Sequence, residues 1–316
     1  MPRLDLNTLK AVMLGHAVGD ALGVPVEFCS RRELDESPVT EMLGWGSYPV
    51  PEGCWSDDTS MSLAALDSLK NGRVDFEDIM GNFVAWTTED KYTPTGEMFD
   101  IGKTCMTAIR NYLKGSCSAL ECGLKDERSN GNGSLMRMHP FVLYAYANDI
   151  SLEDWSDLID KASSITHAHQ RSKVGCLIYA FVLWHLMNDH TISALHHGLA
   201  RAEAHLKERA EISCYQRIFR EDFASTNRNK IKSSGYVIDT LEAAIWCVLT
   251  TKDYKSAVLA AVNLGEDTDT VAAVAGSMAG ALYGLDNIPE EWLIVLKKRE
   301  YIEKMCEQAH SAWFDS

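Results

Sequence analysis

Glycine recurs every four residues in two stretches of this chain, at Gly15, Gly19 and Gly23 near its start and at Gly276, Gly280 and Gly284 near its end. On a helix that spacing puts all three on one side. An interior glycine costs a helix about 1 kcal/mol relative to alanine, so a register of three points to a face where another backbone comes too close for a Cβ. The alternative is incidental glycine in an Ala/Gly-rich chain, because isolated helical glycines are tolerated. The packing reading predicts two central helices that hold the polar residues at their ends rigidly.

Elsewhere apolar residues also recur at helical spacing, as in Leu63, Leu66 and Leu69, or Ile178, Phe181, Val182 and Trp184. Strand-like alternation is scarce, only eight prolines occur, and no linker or fixed-period repeat marks a boundary. The expectation is an all-α fold, a single compact multi-helix domain spanning residues 1–316. The stretch from about Ala202 to Lys232 is polar with weak periodicity, which predicts an exposed helix or an insertion beside the core.

A net charge of -15, without a concentrated basic patch, argues against nucleic acid as a partner. The nine cysteines are scattered from Cys29 to Cys306 without paired zinc spacing, and read as reduced thiols of a cytoplasmic protein. Met1 to Leu22 is apolar but carries Asp5, Lys10, His16 and Asp20, so neither a signal peptide nor a membrane span is expected.

Two acidic clusters stand at predicted helix starts: Trp55-Ser56-Asp57-Asp58-Thr59, and Glu266-Asp267-Thr268-Asp269-Thr270 before the second glycine-spaced helix. Capping accounts for either one alone, since Ser, Thr and Asp accept bonds from the free amides of a first turn. Capping uses one side chain per helix, however, and each cluster offers more oxygens than that. Adjacent carboxylates repel unless a cation or solvent compensates them, and hard divalent ions such as Mg²⁺ or Mn²⁺ take such oxygens. Spacing alone does not bring the two clusters together.

The other polar islands are individually weak. Glu27 follows Pro25 and reads first as a solvated loop residue. Ser129 to Arg137, SNGNGSLMR, is either an ordinary turn or a loop whose amides cradle phosphate, the latter favoured by a helix starting at Ser134. His167 and His169, two residues apart, are poorly placed to share a metal, leaving one imidazole free to touch a substrate or simply to sit satisfied in the core. Tyr236 reads either as core or as an aromatic beside a ligand.

Taken in order, these islands resemble the ADP-ribosylglycohydrolase family from about Leu9 to Gly284. The resemblance is carried by GDALGVPVEF, WSDDTSM, the FDIG of Phe99 to Gly102, NGNGSLMR, THAH, GYVIDTLEAAIW and NLGEDTDTVAAVAGSMAGALYG. It implies an all-α fold with two Mg²⁺ or Mn²⁺ ions in a central cleft. By position it implies Ser56, Asp57, Asp58, Asp267, Asp269 and Thr270 as metal ligands, and Glu27 and Asp100 as the acidic groups that manage protons. Ser129, Asn130 and Gly131 fall on a diphosphate-contacting loop, His167 on a substrate-contacting histidine, and Gly235 and Tyr236 near the nucleoside. Departures are mild: Ser56 stands where Thr is usual, and Glu266-Asp267-Thr268-Asp269 replaces a more familiar Asp-Asp-Ala-Asp.

The implied activity is hydrolysis of the bond between ADP-ribose and a protein side chain, arginine ahead of serine by likeness to bacterial members, through an oxocarbenium-like state. The implied partner is an ADP-ribosylated protein, or ADP-ribose itself. A second class is a silent binding protein that grips an ADP-ribosyltransferase or its modified target, against which the full set of candidate ligands argues. A third, a metal-dependent phosphohydrolase, shares the carboxylates and differs in its products.

Overall fold

In the computed structural model, which describes residues 4–314, fourteen α-helices are joined by loops and short 3-10 turns. They are α1 (Leu6–Gly23), α2 (Arg31–Glu36), α3 (Asp57–Leu69), α4 (Phe76–Glu89), α5 (Lys103–Leu113), α6 (His139–Ala147) and α7 (Leu152–Ser164). There follow α8 (Gln170–Asp189), α9 (Ile192–Leu206), α10 (Val237–Thr250), α11 (Tyr254–Val262), α12 (Thr268–Tyr283), α13 (Glu290–Val295) and α14 (Arg299–Phe314). Among the described residues no strand forms. Two isolated β-bridges, Leu124 with His167 and Gly131 with Tyr236, tie loops together.

The glycine-spaced helices are α1 and α12, and they pack antiparallel with backbone against backbone. A Cβ built on Gly15 would lie 2.6 Å from the Gly276 carbonyl oxygen, one on Gly19 would lie 2.1 Å from that of Ala272, and one on Gly280 would lie 2.1 Å from that of Ala11. No side chain fits at such distances, which is what the glycines provide. Gly284 differs from the expectation: it ends α12 with φ 83°, and a Cβ there would meet nothing within 4 Å. Its glycine serves the left-handed turn that stops the helix rather than the contact.

Replacing Gly19 by Ala is therefore expected to destabilise the protein by about 2–3 kcal/mol, because the added methyl must push two helix backbones apart. Gly81, inside α4 with open space around it, is the control: Gly81→Ala should stabilise by ~0.5–1 kcal/mol. Urea unfolding of both variants reads the two signs, and a Gly19→Ala protein as stable as wild type would remove the close-contact account.

The other helices cover this pair. α3, α6 and α14 pack on α1, while α10 and α11 pack on α12 and α8 joins the side formed with α9. α1 is apolar over a length that can cross a bilayer, but 89% of that window is buried inside the protein. Helix packing thus accounts for its apolarity.

Two expectations change. Beyond the end of α9, the polar stretch from Ala202 to Lys232 is not an exposed helix. After α9 ends at Leu206 it runs as 3-10 turns at Ile212–Phe219, Phe223–Ser225 and Arg228–Lys230. Tyr215, Ile218, Phe223 and Ile231 are buried, at a spacing that suits tight turns rather than a helix face, and Arg217 pairs with Glu242 of α10. The cysteines are not all reduced either: Cys117 and Cys122 form a disulfide, brought together by the short turn Ala119–Glu121.

Candidate active site

The antiparallel crossing sets the N-terminus of α12 against the C-terminus of α1. Gly23 lets them touch, since a Cβ there would be 2.3 Å from Asp269 Cα, and Thr268 Oγ1 donates to the Gly23 carbonyl at 2.8 Å. The chain leaving α1 tightens into a 3-10 turn at Val24–Val26, then pairs with the segment before α12: Phe28 N–H donates to Glu266 O and Glu266 N–H to Cys29 O, each at 2.7 Å. Glu27 is held between these contacts and is only 8% exposed. The solvated-loop reading of Glu27 is thereby corrected.

Asp20, in the last turn of α1, fixes the start of α3. Its carboxylate accepts from Ser56 N–H at 2.8 Å, Thr59 N–H at 3.0 Å and Thr59 Oγ1 at 2.6 Å. Ser56 caps α3, accepting from Asp58 N–H at 3.4 Å. Asp57 and Asp58 are the surplus. Asp57 Oδ2 accepts from Gly102 N–H at 3.2 Å, and Asp58 Oδ2 accepts from Thr270 Oγ1 at 3.2 Å. That last bond joins the two acidic clusters across 212 residues of chain. Asp267 makes no cap bond to α12; its Oδ2 accepts instead from Asn132 Nδ2 at 2.8 Å.

The carboxylates are crowded. One oxygen each from Glu27, Asp100 and Asp269 lie within 4.8 Å of one another. Glu27 Oε2 and Asp58 Oδ1 are buried without a hydrogen-bond partner, and among the described residues no Lys or Arg forms an ion pair with any of these groups. Burial, with the neighbouring Asp100 charge second, pushes Glu27 up to about 8. Asp20 and Asp100 are raised to about 6, burial outweighing their hydrogen bonds. Burial and then a facing carboxylate hold Asp57, Asp58 and Asp269 well above the usual range. A cavity that places so many acids together without a cation of its own fits divalent metal, and the oxygen-only donor set suits a hard ion.

Above the acids opens a cleft of about 330 Å³ lined by Glu27, Asp57, Asp100, Asp267 and Thr270 on one side and by Gly131, Asn132, Gly133, His167 and Gly235 on the other. The volume is in the range of small-molecule sites. A Cβ on Gly235 would stand 2.9 Å from Asp267 Oδ2, so a side chain there would have to shift that carboxylate.

The sequence profile of the ADP-ribosylglycohydrolase family matches residues 2–315. The chain belongs to this family. It is 35% identical over 306 residues to an ADP-ribosylarginine hydrolase, Tri1, of Serratia proteamaculans, covering 96% of this chain and 79% of that protein. To the ADP-ribosyl-[dinitrogen reductase] glycohydrolase of Rhodospirillum rubrum it is 34% identical over 284 residues, 89% and 87% of the two chains. A solved ADP-ribosylglycohydrolase-related protein complex superimposes with a TM-score of 0.81 at 31% identity, covering 98% of this chain and 99% of that one. The protein is thus an ADP-ribosylglycohydrolase, an all-α hydrolase.

Not every residue expected from the family's motifs faces the cleft of this ADP-ribosylglycohydrolase. Asn130 turns inward: its Oδ1 accepts from Ser172 N–H at 3.2 Å and Oγ at 2.8 Å, and its Nδ2 donates to Glu127 O at 2.9 Å. It shapes the glycine loop from behind. Ser129 is buried at the end of a 3-10 turn, and no helix begins at Ser134, because α6 starts at His139. The Tyr236 hydroxyl accepts from Arg171 Nη1 at 3.0 Å. Glu27 and Asp100, expected to handle protons, group with Asp269, expected as a ligand.

Asp20, Tyr48 and Asn132 were not expected in the site. Asp20 and Asn132 lie inside the motifs GDALG and NGNG, where an acid on an apolar helix and a second amide in a turn were available signals. Tyr48, whose phenol acts against burial at both Glu27 and Asp100, lies in no motif.

Proposed function

We propose that this protein is a metal-dependent hydrolase that releases ADP-ribose from modified arginine side chains, using two Mg²⁺ or Mn²⁺ ions held by Asp57, Asp58, Asp267, Asp269 and Thr270 with Ser56 at the rim of the set. The observation that carries the reading is the meeting of the two acidic clusters, with buried carboxylate oxygens left unpartnered. Two relatives, 35% and 33% identical, are named as ADP-ribosylarginine hydrolases, which supports arginine as the linkage.

Bound divalent ions supply Lewis acidity and neutralise the carboxylates beside the sugar. The protein's own groups do the rest. Asn132 and Gly102 orient Asp267 and Asp57 through their N–H donors. Glu27, beside Asp100, is the group best suited to hold a proton near neutral pH. Gly131 and Gly133 present no side chain to their side of the cleft, which leaves room for the diphosphate, and His167 presents its ring there. The acidic net charge argues against nucleic acid as a partner, and the names of the relatives support an ADP-ribosylated protein.

The test is release of free ADP-ribose from arginine-linked and serine-linked substrates side by side, with Mg²⁺, with Mn²⁺ and with chelator. Arginine-linked release that stops with chelator is expected. Release unaffected by chelator removes the metal from the proposal, inorganic phosphate or AMP as product removes the glycohydrolase, and faster serine release reverses the linkage.

A further inference from the structure

Arg137 is fully buried and, among the described residues, has no carboxylate partner. An uncompensated buried cation is costly unless its charge is used. Its Nη1 donates to the Ala162 carbonyl at 3.1 Å, its Nη2 donates to Thr166 Oγ1 at 2.7 Å, and the guanidinium lies over the Phe83 ring, 5.1 Å from the centroid. Thr166 Oγ1 in turn stands 2.8 Å from His167 Nδ1. Arg137 is always a donor, so the Thr166 oxygen is the acceptor of that bond. Thr166 is itself fully buried, and its hydroxyl hydrogen has His167 Nδ1 as its strong acceptor, with the Cys105 sulfur a weaker one. Were Nδ1 protonated instead, the Thr166 oxygen would accept from both Arg137 and His167, and its hydroxyl hydrogen would be left to the weaker acceptor Cys105 Sγ.

We infer that Arg137 and Thr166 are a positioning pair for His167, fixing its imidazole as a neutral Nε2–H donor aimed at an oxygen of the bound ADP-ribose. The backbone that carries the ring is fixed as well. The His167 N–H donates to Ser163 O and its carbonyl accepts from Ser163 Oγ, both at 2.8 Å. Nε2 is turned to the glycine loop: a Cβ on Gly131 would be 3.7 Å from it, and one on Gly133 3.6 Å. Burial, with the Arg137 charge second, lowers His167 to about 3, so the ring stays uncharged. Cys105, the polar neighbour on the same side, uses its thiol on the Gly133 carbonyl at 3.7 Å. Arg137 has a second effect. In a cleft walled by carboxylates, an unpaired positive charge behind His167 offsets the repulsion that an anionic diphosphate meets on entry.

The ligand half of this inference rests on ADP-ribose occupying the cleft; the tautomer half does not. In Mg²⁺-loaded protein without ligand, imidazole ¹⁵N shifts of His167, assigned against His167→Gln, should report Nε2–H in wild type and in Thr166→Ser. In Thr166→Val the single tautomer should be lost. Calorimetry with ADP-ribose should then show binding about tenfold weaker for Thr166→Val, the loss of one buried hydrogen-bond geometry, and within about twofold of wild type for Thr166→Ser. KM should rise more than kcat falls, and Arg137→Met should move affinity the same way. An Nδ1–H tautomer in wild type, or a folded Thr166→Val protein that keeps both the tautomer and the affinity, overturns the pair's role. The expected tautomer in a wild-type protein that does not bind ADP-ribose would instead overturn the proposed function, and with it the ligand half.

Discussion

Asp58→Asn is expected to slow ADP-ribose release by a factor on the order of 10²–10³ or more, while leaving the metal-free protein at least as stable as wild type. The two effects have one cause. Asp58 is 1% exposed, its Oδ1 has no partner, and burial together with the Asp20 and Asp57 charges raises its pKa well above the usual range. A carboxylate so placed opposes folding of the metal-free chain, so a neutral amide of the same shape relieves repulsion. The amide also fits locally, because the Ser56 and Thr270 hydroxyls beside Oδ2 can accept as well as donate. What the amide lacks is the charge that a divalent ion needs.

Asp20→Asn is the contrasting variant. Asp20 is as deeply buried, but its oxygens accept from Ser56 N–H, Thr59 N–H and Thr59 Oγ1. An amide NH₂ would turn a donor toward backbone donors, and the expected result is destabilisation of about 1–3 kcal/mol. Chemical denaturation with chelator, alongside the release assay, separates the pair. Equal destabilisation by both substitutions would mean that Asp58 is a structural acid like Asp20, and the metal reading would lose its main support.

How far these roles were legible in the sequence depends on the range of the interaction that sets them. The close contact of α1 with α12 was readable because glycine at every fourth position is a local steric signal, and Gly15, Gly19, Gly276 and Gly280 carry it. Gly284 carries the same letter for a different reason, a left-handed helix end, and spacing does not separate the two. Asp57 and Asp58 were readable as more acid than a cap requires, but the bond from Thr270 to Asp58 is a product of the whole fold. The inward turn of the Asn130 side chain was not readable, because its partner Ser172 lies 42 residues further on and only the fold brings the two together. The turns from Ile212 to Lys230 hide buried Tyr215, Ile218 and Phe223 among charges that mask any period. Tyr48 reaches Glu27 and Asp100 only through tertiary packing, so no neighbour in sequence announces it.

The largest expected change in stability comes from the metal, and its size should depend on pH. Without metal, Glu27 is raised to about 8 and Asp20 and Asp100 to about 6, burial being the first cause in each, whereas in the unfolded chain all three titrate near the ordinary carboxylate value of about 4. Buried His16 and His167, lowered to about 3, act the other way as pH rises toward the unfolded histidine value of about 6.5; from there up to about pH 8 the folded chain holds more protons than the unfolded one, so the stability of the metal-free protein falls as pH rises through that upper window. Divalent cations compete with those protons and take the ionised form. Mg²⁺ or Mn²⁺ at a hundredfold excess over its Kd adds about 2.7 kcal/mol per site, and because Kd itself tightens as the acids ionise, at fixed metal the rise in Tm should be larger near pH 8 than near pH 5. Thermal unfolding at both pH values, with metal and with chelator, gives the four numbers needed. A rise in Tm with metal that is no larger near pH 8 than near pH 5 would mean that the crowded acids are compensated from within the chain, and that no cation is needed to hold them.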